Sequence, residues 1–229
     1  MKHKLFYKPP GLPEKLIRLL FPAKCMVCDR ILIENSVLYI CPSCKKSLPK
    51  YERGFVKNFE VQLVDKLFAG FYYKEGMETA IHTMKFNNHP RLTQTMSMLL
   101  WEELIKEESI PRFDCIVPVP MYSKKKRQRG YNQTELLAKQ LSVLSGVEMR
   151  TGLLLKNRMT KPQSRLKRKE RLENLKGAFS LGKGSEYLEG KHVLLVDDVV
   201  TTGTTLTTCA KILREQGVCS VYAIVIAIA

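Results

Sequence analysis

The stretch HVLLVDDVVTTGTTL, residues 192–206, constrains the fold more than any other part of the chain. Its first half is a continuous apolar run, the pattern of a strand buried on both faces. Its second half leads into a helix expected from about Leu206 to Gln216 and closed by Gly217. Between them stand two adjacent carboxylates, Asp197 and Asp198. They repel each other and lose solvation at the end of a buried strand, so packing gives no reason for them and ligand binding does. Strand, loop and helix in that order are the unit of a parallel sheet. Ligands there sit beyond the carboxyl ends of the strands, against the unpaired N–H groups of the following helix. Thr201, Thr202, Gly203, Thr204 and Thr205 offer N–H donors, hydroxyls and a glycine that lets the backbone approach a phosphate. Asp197 and Asp198 lie a sugar's length from that loop, where they suit a pair of vicinal hydroxyls and can help position Mg²⁺. A ribose 5-phosphate fits. The loop lacks the Gly-Lys-Ser/Thr ending of a Walker A sequence and the G-x-G-x-x-G of a dinucleotide loop.

The remaining pattern extends the same architecture. A strand is expected at LFAGFYY. Met77, Ala80, Ile81 and Met84 share one helical face, and Leu92, Met96, Leu99, Leu100 and Leu104 share another. Residues 114–120 read as a strand. Residues 131–146 read as a helix with Leu137, Leu141 and Leu144 inward and Gly146 ending it, and CSVYAIVIA as a last strand. Alternating apolar strands and amphipathic helices predict an α/β fold, a parallel sheet flanked by helices. The segment KNRMTKPQSRLKRKERLENLKGAF is too basic and too poor in apolar periodicity for core, and is expected to be a mobile loop or hairpin over the site.

Seven cysteines fall into two groups. Cys25, Cys28, Cys41 and Cys44 have the spacing C-x2-C-x12-C-x2-C, which suits a tetrahedral structural zinc; two disulfides are the other reading. Zinc is favoured because no secretion signal is evident and the chain has apolar residues enough (45%) for a core without staples. A zinc-finger module over residues 1–52 and a larger domain over 53–229 follow. Cys115, Cys209 and Cys219 lie in apolar patterns and are expected to be buried. No apolar run approaches a membrane span, so a cytoplasmic protein is expected.

The net charge is +16, and Lys124 to Arg171 holds fifteen Lys or Arg against Glu135, Glu148 and Glu170, which is +12 of it. Such a block favours phosphate-bearing partners, with a solvated lysine-rich surface as the plain alternative. Lys124, Lys125, Lys126, Arg127, Lys167, Arg168 and Lys169 are candidate nucleic-acid contacts. Lys24, Lys45, Lys46 and Lys50, with Phe21, Tyr39 and Tyr51, suit stacking and phosphate contact with a single strand. Pyrophosphate also needs cations, for which Lys85, Arg129 and Arg171 are candidates.

Val193 to Thr205 is similar to the 5-phosphoribosyl 1-pyrophosphate (PRPP) signature of type I phosphoribosyltransferases. The CxxC pair, VPVP followed by RQRGYNQ, and QSRLKRKERLENLKGAF resemble, in that order and over nearly the whole chain, the ComF family of competence proteins, also called ComF/GntX. The resemblance implies a type I phosphoribosyltransferase fold with a small N-terminal zinc finger. It implies Asp197 and Asp198 on the ribose, Thr201 to Thr205 on the 5-phosphate, and the turn containing Val119 and Pro120 at the pyrophosphate. Arg129, Gly130, Tyr131, Asn132 and Gln133 match a family motif, although Asn132 reads equally as a helix cap. Gln163, Arg171, Asn174, Gly177 and Phe179 match the pattern around the mobile segment. Lys85 and Phe86 match a KF pair, with Asn87 and Asn88 where glycine is usual. The implied role is in natural transformation, with PRPP and Mg²⁺, imported single-stranded DNA and an uptake helicase as ligands and partners. The alternative is an active phosphoribosyltransferase with a nitrogen acceptor, in which Asp197, Asp198, Arg129 and Arg171 serve catalysis.

Overall fold

A computed structural model describes residues 20–33, 36–52, 54–56, 61–86, 90–160 and 168–229. Its centre is a parallel sheet of β1 (Lys66–Tyr72), β2 (Cys115–Pro118), β5 (His192–Val200) and β6 (Ser220–Ile228), in the spatial order β1-β6-β5-β2. The strands are apolar almost throughout because helices cover both faces. In β6, Ile224 and Ile226 point into one core, and Ala223 and Val225 into the other.

The first core lies under α2 (Gly76–Phe86), α3 (Pro90–Leu104) and α5 (Gln133–Ser145), and the apolar positions expected from helical periodicity are buried there. Leu144 is only partly buried, at the rim. Gly70 in β1 allows the close approach of α3, since a Cβ there would lie 2.9 Å from Leu100 Cδ1. The second core is closed by α7 (Thr204–Glu215), the antiparallel pair β3 (Leu154–Lys156) and β4 (Phe179–Leu181), and Leu175 of α6 (Arg168–Leu175).

The helix α6 corrects the expectation of a loop or hairpin for the whole basic segment. The antiparallel arms are β3 and β4, but part of the span between them is helical. Buried Leu175 anchors α6, and the Arg158 guanidinium donates to the carbonyls of Asn174 and Lys176 at 3.1 and 2.8 Å, which serves the helix end. Charge hid this helix from its apolar pattern. Cys115 and Cys209 are buried as expected, whereas Cys219 is exposed, because it lies one residue before β6 and outside the covered part of the sheet.

The cysteine-bearing region carries α1 (Pro42–Ser47) and shares the first core. Ala23, Met26, Tyr39, Ile40 and Leu48 belong to the same cluster as Met77, Ile81 and Met96. Tyr39 N–H donates to Thr95 Oγ1 at 3.0 Å and Thr83 Oγ1 to the Met26 carbonyl at 3.2 Å. Residues around the expected boundary at 52 and 53 run antiparallel beside β1, with bridges Lys50 to Phe71 and Phe55 to Phe68.

Candidate functional site

The strand β5 carries the acid pair inside the sheet, since its pairing with β6 continues from Asp197 opposite Val225 to Val200 opposite Ile228. The chain then turns at Gly203, whose φ of 71° and place before α7 require the left-handed conformation that glycine adopts at little cost. A shallow cleft opens there, lined by Asp197, Val199, Val200, Thr201 and the turn from Gly203 to Leu206. The Thr202 and Thr204 hydroxyls stand 2.8 Å apart. The N-terminus of α7, with its surplus of N–H donors and positive dipole end, borders the same cleft.

Asp198 is a buried hub. Lys85 Nζ lies 3.0 Å from its Oδ2, and Gln133 Nε2 donates to the same oxygen at 2.8 Å. Arg129 in turn donates to Gln133 Oε1 at 2.5 Å. Two arms thus reach one carboxylate, from the end of α2 and from the start of α5. Burial alone would push the Asp198 carboxyl up, but the Lys85 charge, with hydrogen bonds from Gln133 and Lys85 and the Val199 N–H, holds it below the ordinary carboxylate range. Asp197 behaves oppositely. Burial first and the Asp198 charge second push it up to about 7, although it accepts the Asp198 N–H at 2.8 Å.

Further cations surround the pair. Lys156, at the end of β3, is close enough to Asp197 for their charges to interact, and burial lowers its pKa. Lys125 feels Arg129, Lys85 and Asp198, and is lowered by burial and then by its two cationic neighbours. The site therefore gathers Lys85, Lys125, Arg129 and Lys156 around two acids, one of them half protonated near neutrality. That balance suits a polyanion.

The four cysteine sulfurs form a second centre. Their Sγ atoms lie within 4.8 Å of one another, and those of Cys28 and Cys41 are 3.8 Å apart. A disulfide would bring two sulfurs to about 2 Å. A tetrahedral ion with metal–sulfur bonds of about 2.3 Å sets its ligands about 3.8 Å apart. The backbone N–H groups of Cys41 and Cys44 point at the sulfurs of Cys25 and Cys41, at 3.4 and 3.5 Å. The donor set fits a metal ion.

Residues 117–228 match the phosphoribosyl transferase domain. Competence protein F of Haemophilus influenzae is 32% identical over 181 residues, covering 78% of this chain and 73% of its own. The chain belongs to the Competence protein F family. DNA utilization protein YhgH of Escherichia coli is 30% identical over 203 residues, 86% of each chain. Among solved structures, the glutamine PRPP amidotransferase of B. subtilis, complexed with ADP and GMP, aligns at 23% identity and a TM-score of 0.39; the match covers 58% of this chain and 25% of that one. The domain match and the parallel sheet together give a type I phosphoribosyltransferase fold, here with an N-terminal four-cysteine module.

In this Competence protein F relative, Asp197 lines the cleft of the threonine turn, while Lys85 and, through Gln133, Arg129 gather on Asp198, which the cleft's lining does not include. Val119 and Pro120 lie close by, but Val119 spends its N–H on the Val196 carbonyl at 2.9 Å, and proline has none to offer. Asn132 caps α5 by accepting the Thr134 N–H at 3.3 Å, and with Thr134 it holds the Val119 carbonyl. Lys124, Lys125, Lys126 and Arg127 are exposed on α4 (Ser123–Arg129), which ends at the site. Lys167 and Gln163 lie outside the described residues, as do Asn87 and Asn88 and the side chains of Arg168, Lys169 and Arg171. In the family's cysteine module Phe21 is exposed, whereas Tyr39 is buried and Tyr51 packs on Tyr72 at 5.0 Å. Those two tyrosines are therefore not open stacking faces. Gln133, Lys125 and Lys156 were not placed beside the acid pair by sequence reasoning. Gln133 was visible in the motif; Lys156 gave no signal, standing in a short strand far from the acids in sequence.

Proposed function

We propose that this Competence protein F relative binds PRPP, or a related ribose 5-phosphate, in the cleft at Asp197, Asp198 and the Thr201–Thr205 turn, and acts in DNA uptake with single-stranded DNA as its macromolecular partner. The observation that carries the ligand is an acid pair at the end of a sheet strand, with the threonine turn beside Asp197, Lys85 on Asp198, and Lys125, Arg129 and Lys156 within reach of their charges. The names of Competence protein F and of DNA utilization protein YhgH support the DNA role. Mg²⁺ enters with pyrophosphate, whose oxygens are its natural ligands, and Asp197 is the acid free to help. Zinc at Cys25, Cys28, Cys41 and Cys44 is structural. The protein acts in the cytoplasm; among the described residues no helix is long and apolar enough to cross a membrane. An uptake helicase is a further partner, and the exposed Phe21, Ile31 and Ile33 of the cysteine module support a protein contact there.

Calorimetric titration of PRPP with Mg²⁺ tests the ligand. Wild-type protein should bind, and Asp197→Asn with Asp198→Asn should lose measurable binding while keeping its far-UV spectrum. Equal affinity in the double variant would remove the ribose role from both acids. The match of residues 117–228 to the phosphoribosyl transferase domain favours a transferase as the second reading. Release of pyrophosphate on adding candidate nitrogen bases would support it.

A further inference from the structure

Phe86 ends α2 on the face opposite its buried stripe, beside Lys85, and is 62% exposed. Nothing in the packing of α2 calls for it, since Met77, Ala80, Ile81 and Met84 already bury the inner face. A single exposed phenyl ring contributes little to stability and is ordinary on a surface; the groups around this one set it apart. The His82 ring, one turn earlier and also exposed, tilts against it at 4.5 Å and 37°. The Arg129 guanidinium carbon lies 5.4 Å from its centroid, wider than a closed stack. Arg129 is the last residue of the basic helix α4, so the ring stands where the exposed run Lys124 to Arg127 meets the acid-pair cleft. The Tyr131 hydroxyl donates to the Met84 carbonyl at 2.9 Å, which ties the end of α2 to the segment carrying Arg129 and Gln133. An aromatic face beside a cationic track is the pairing that holds single-stranded nucleic acid: bases stack and the backbone follows the charges.

We propose that Phe86, with His82 and Arg129, is a stacking site for a nucleobase at the mouth of the Asp197–Asp198 cleft. The ligand is a planar purine or pyrimidine ring, either in a single strand running along α4 or as a free base or nucleoside. The inference rests on the nucleic-acid and ribose-phosphate readings above and assigns them a residue that neither requires.

Anisotropy titrations with a labelled oligothymidylate and with an abasic oligonucleotide of the same length and charge test it, together with calorimetry of adenine and adenosine. Phe86→Ala and Phe86→Leu should weaken oligothymidylate binding by about 5- to 150-fold, the range for loss of one stacked base. Phe86→Trp should restore it. Abasic binding should not change in any of the three. If the base belongs to a free ligand, the same pattern appears with adenine or adenosine and not with the oligonucleotides. Wild-type binding that Phe86→Leu leaves unchanged, or equal losses on the base-bearing and abasic strands, would overturn the stacking site while leaving the nucleic-acid reading intact. A wild-type protein that bound none of these ligands would overturn both.

Discussion

Asp197 and Asp198 are chemically identical neighbours whose proton affinities diverge because each faces a different set of groups. Asp198 meets Lys85 and Gln133, while Asp197 meets mainly apolar strand and its own neighbour's charge. The pair stood out in the sequence as a candidate ligand site, since packing gives no reason for two acids to close a buried strand. Their inequality was not legible, because it depends on Lys85 and Gln133, which reach Asp198 across 113 and 65 positions of chain (198 − 85 and 198 − 133). It has a thermodynamic consequence. Burial and the Asp198 charge push the Asp197 carboxyl up to about 7 from the ordinary 3.8, so its contribution favours the folded state below about pH 4 and is lost progressively as pH rises through 7. Asp197→Asn should abolish that loss. Thermal melts from pH 4 to 8 should show the variant gaining on wild type as pH rises, with the gap levelling off above pH 7. A gap independent of pH would mean that Asp197 ionises normally.

At the scale of elements, strands and amphipathic helices could be placed from apolar periodicity, and the ones that define the site were. Three helices escaped, α1, α4 and α6, and each is short with few apolar residues. Periodicity carries no signal where few residues are apolar, and a helix of this kind is held by contacts that sequence does not reveal, as Arg158 holds the end of α6. The helix α4 is short, exposed and basic, and its Lys126 pairs with Glu135 at 2.7 Å. If its cations follow a nucleic-acid backbone, each neutralised phosphate contributes roughly 0.7 to the slope of log affinity against log salt for a single strand. Replacing Lys124, Lys126 and Arg127 with glutamine should then weaken oligonucleotide binding and flatten the slope by about 2. Calorimetry of PRPP should be little changed, because Lys125 and Arg129 remain. An unaltered slope would assign these charges to solvent.

For the whole molecule, the sequence marks a four-cysteine module and an α/β domain, and the described structure joins them through one apolar core. Cysteine spacing reveals the ligand set but not what the module packs against, since Ala23, Met26, Leu32 and Ile40 form too short and irregular a pattern to point to α2 and α3. We propose that the two regions unfold together. A high-affinity zinc chelator should lower a single melting transition by about 10 °C, the shift that about 3 kcal/mol produces in a chain of this size. Two transitions, of which only one responds to chelation, would show the module to be independent. The sheet order carries a different kind of consequence. The strand β6 lies between β1 and β5, yet it is the last of the described strands to leave the ribosome. Until it emerges, β1 and the β5–β2 pair have no common neighbour and each presents an open edge. At bacterial rates of translation the stretch from residue 72 to residue 220 takes on the order of ten seconds to make. During that interval Lys50 and Phe55 can pair with only one edge of β1, and its other edge stays open until β6 gives the acid pair a full sheet to stand on.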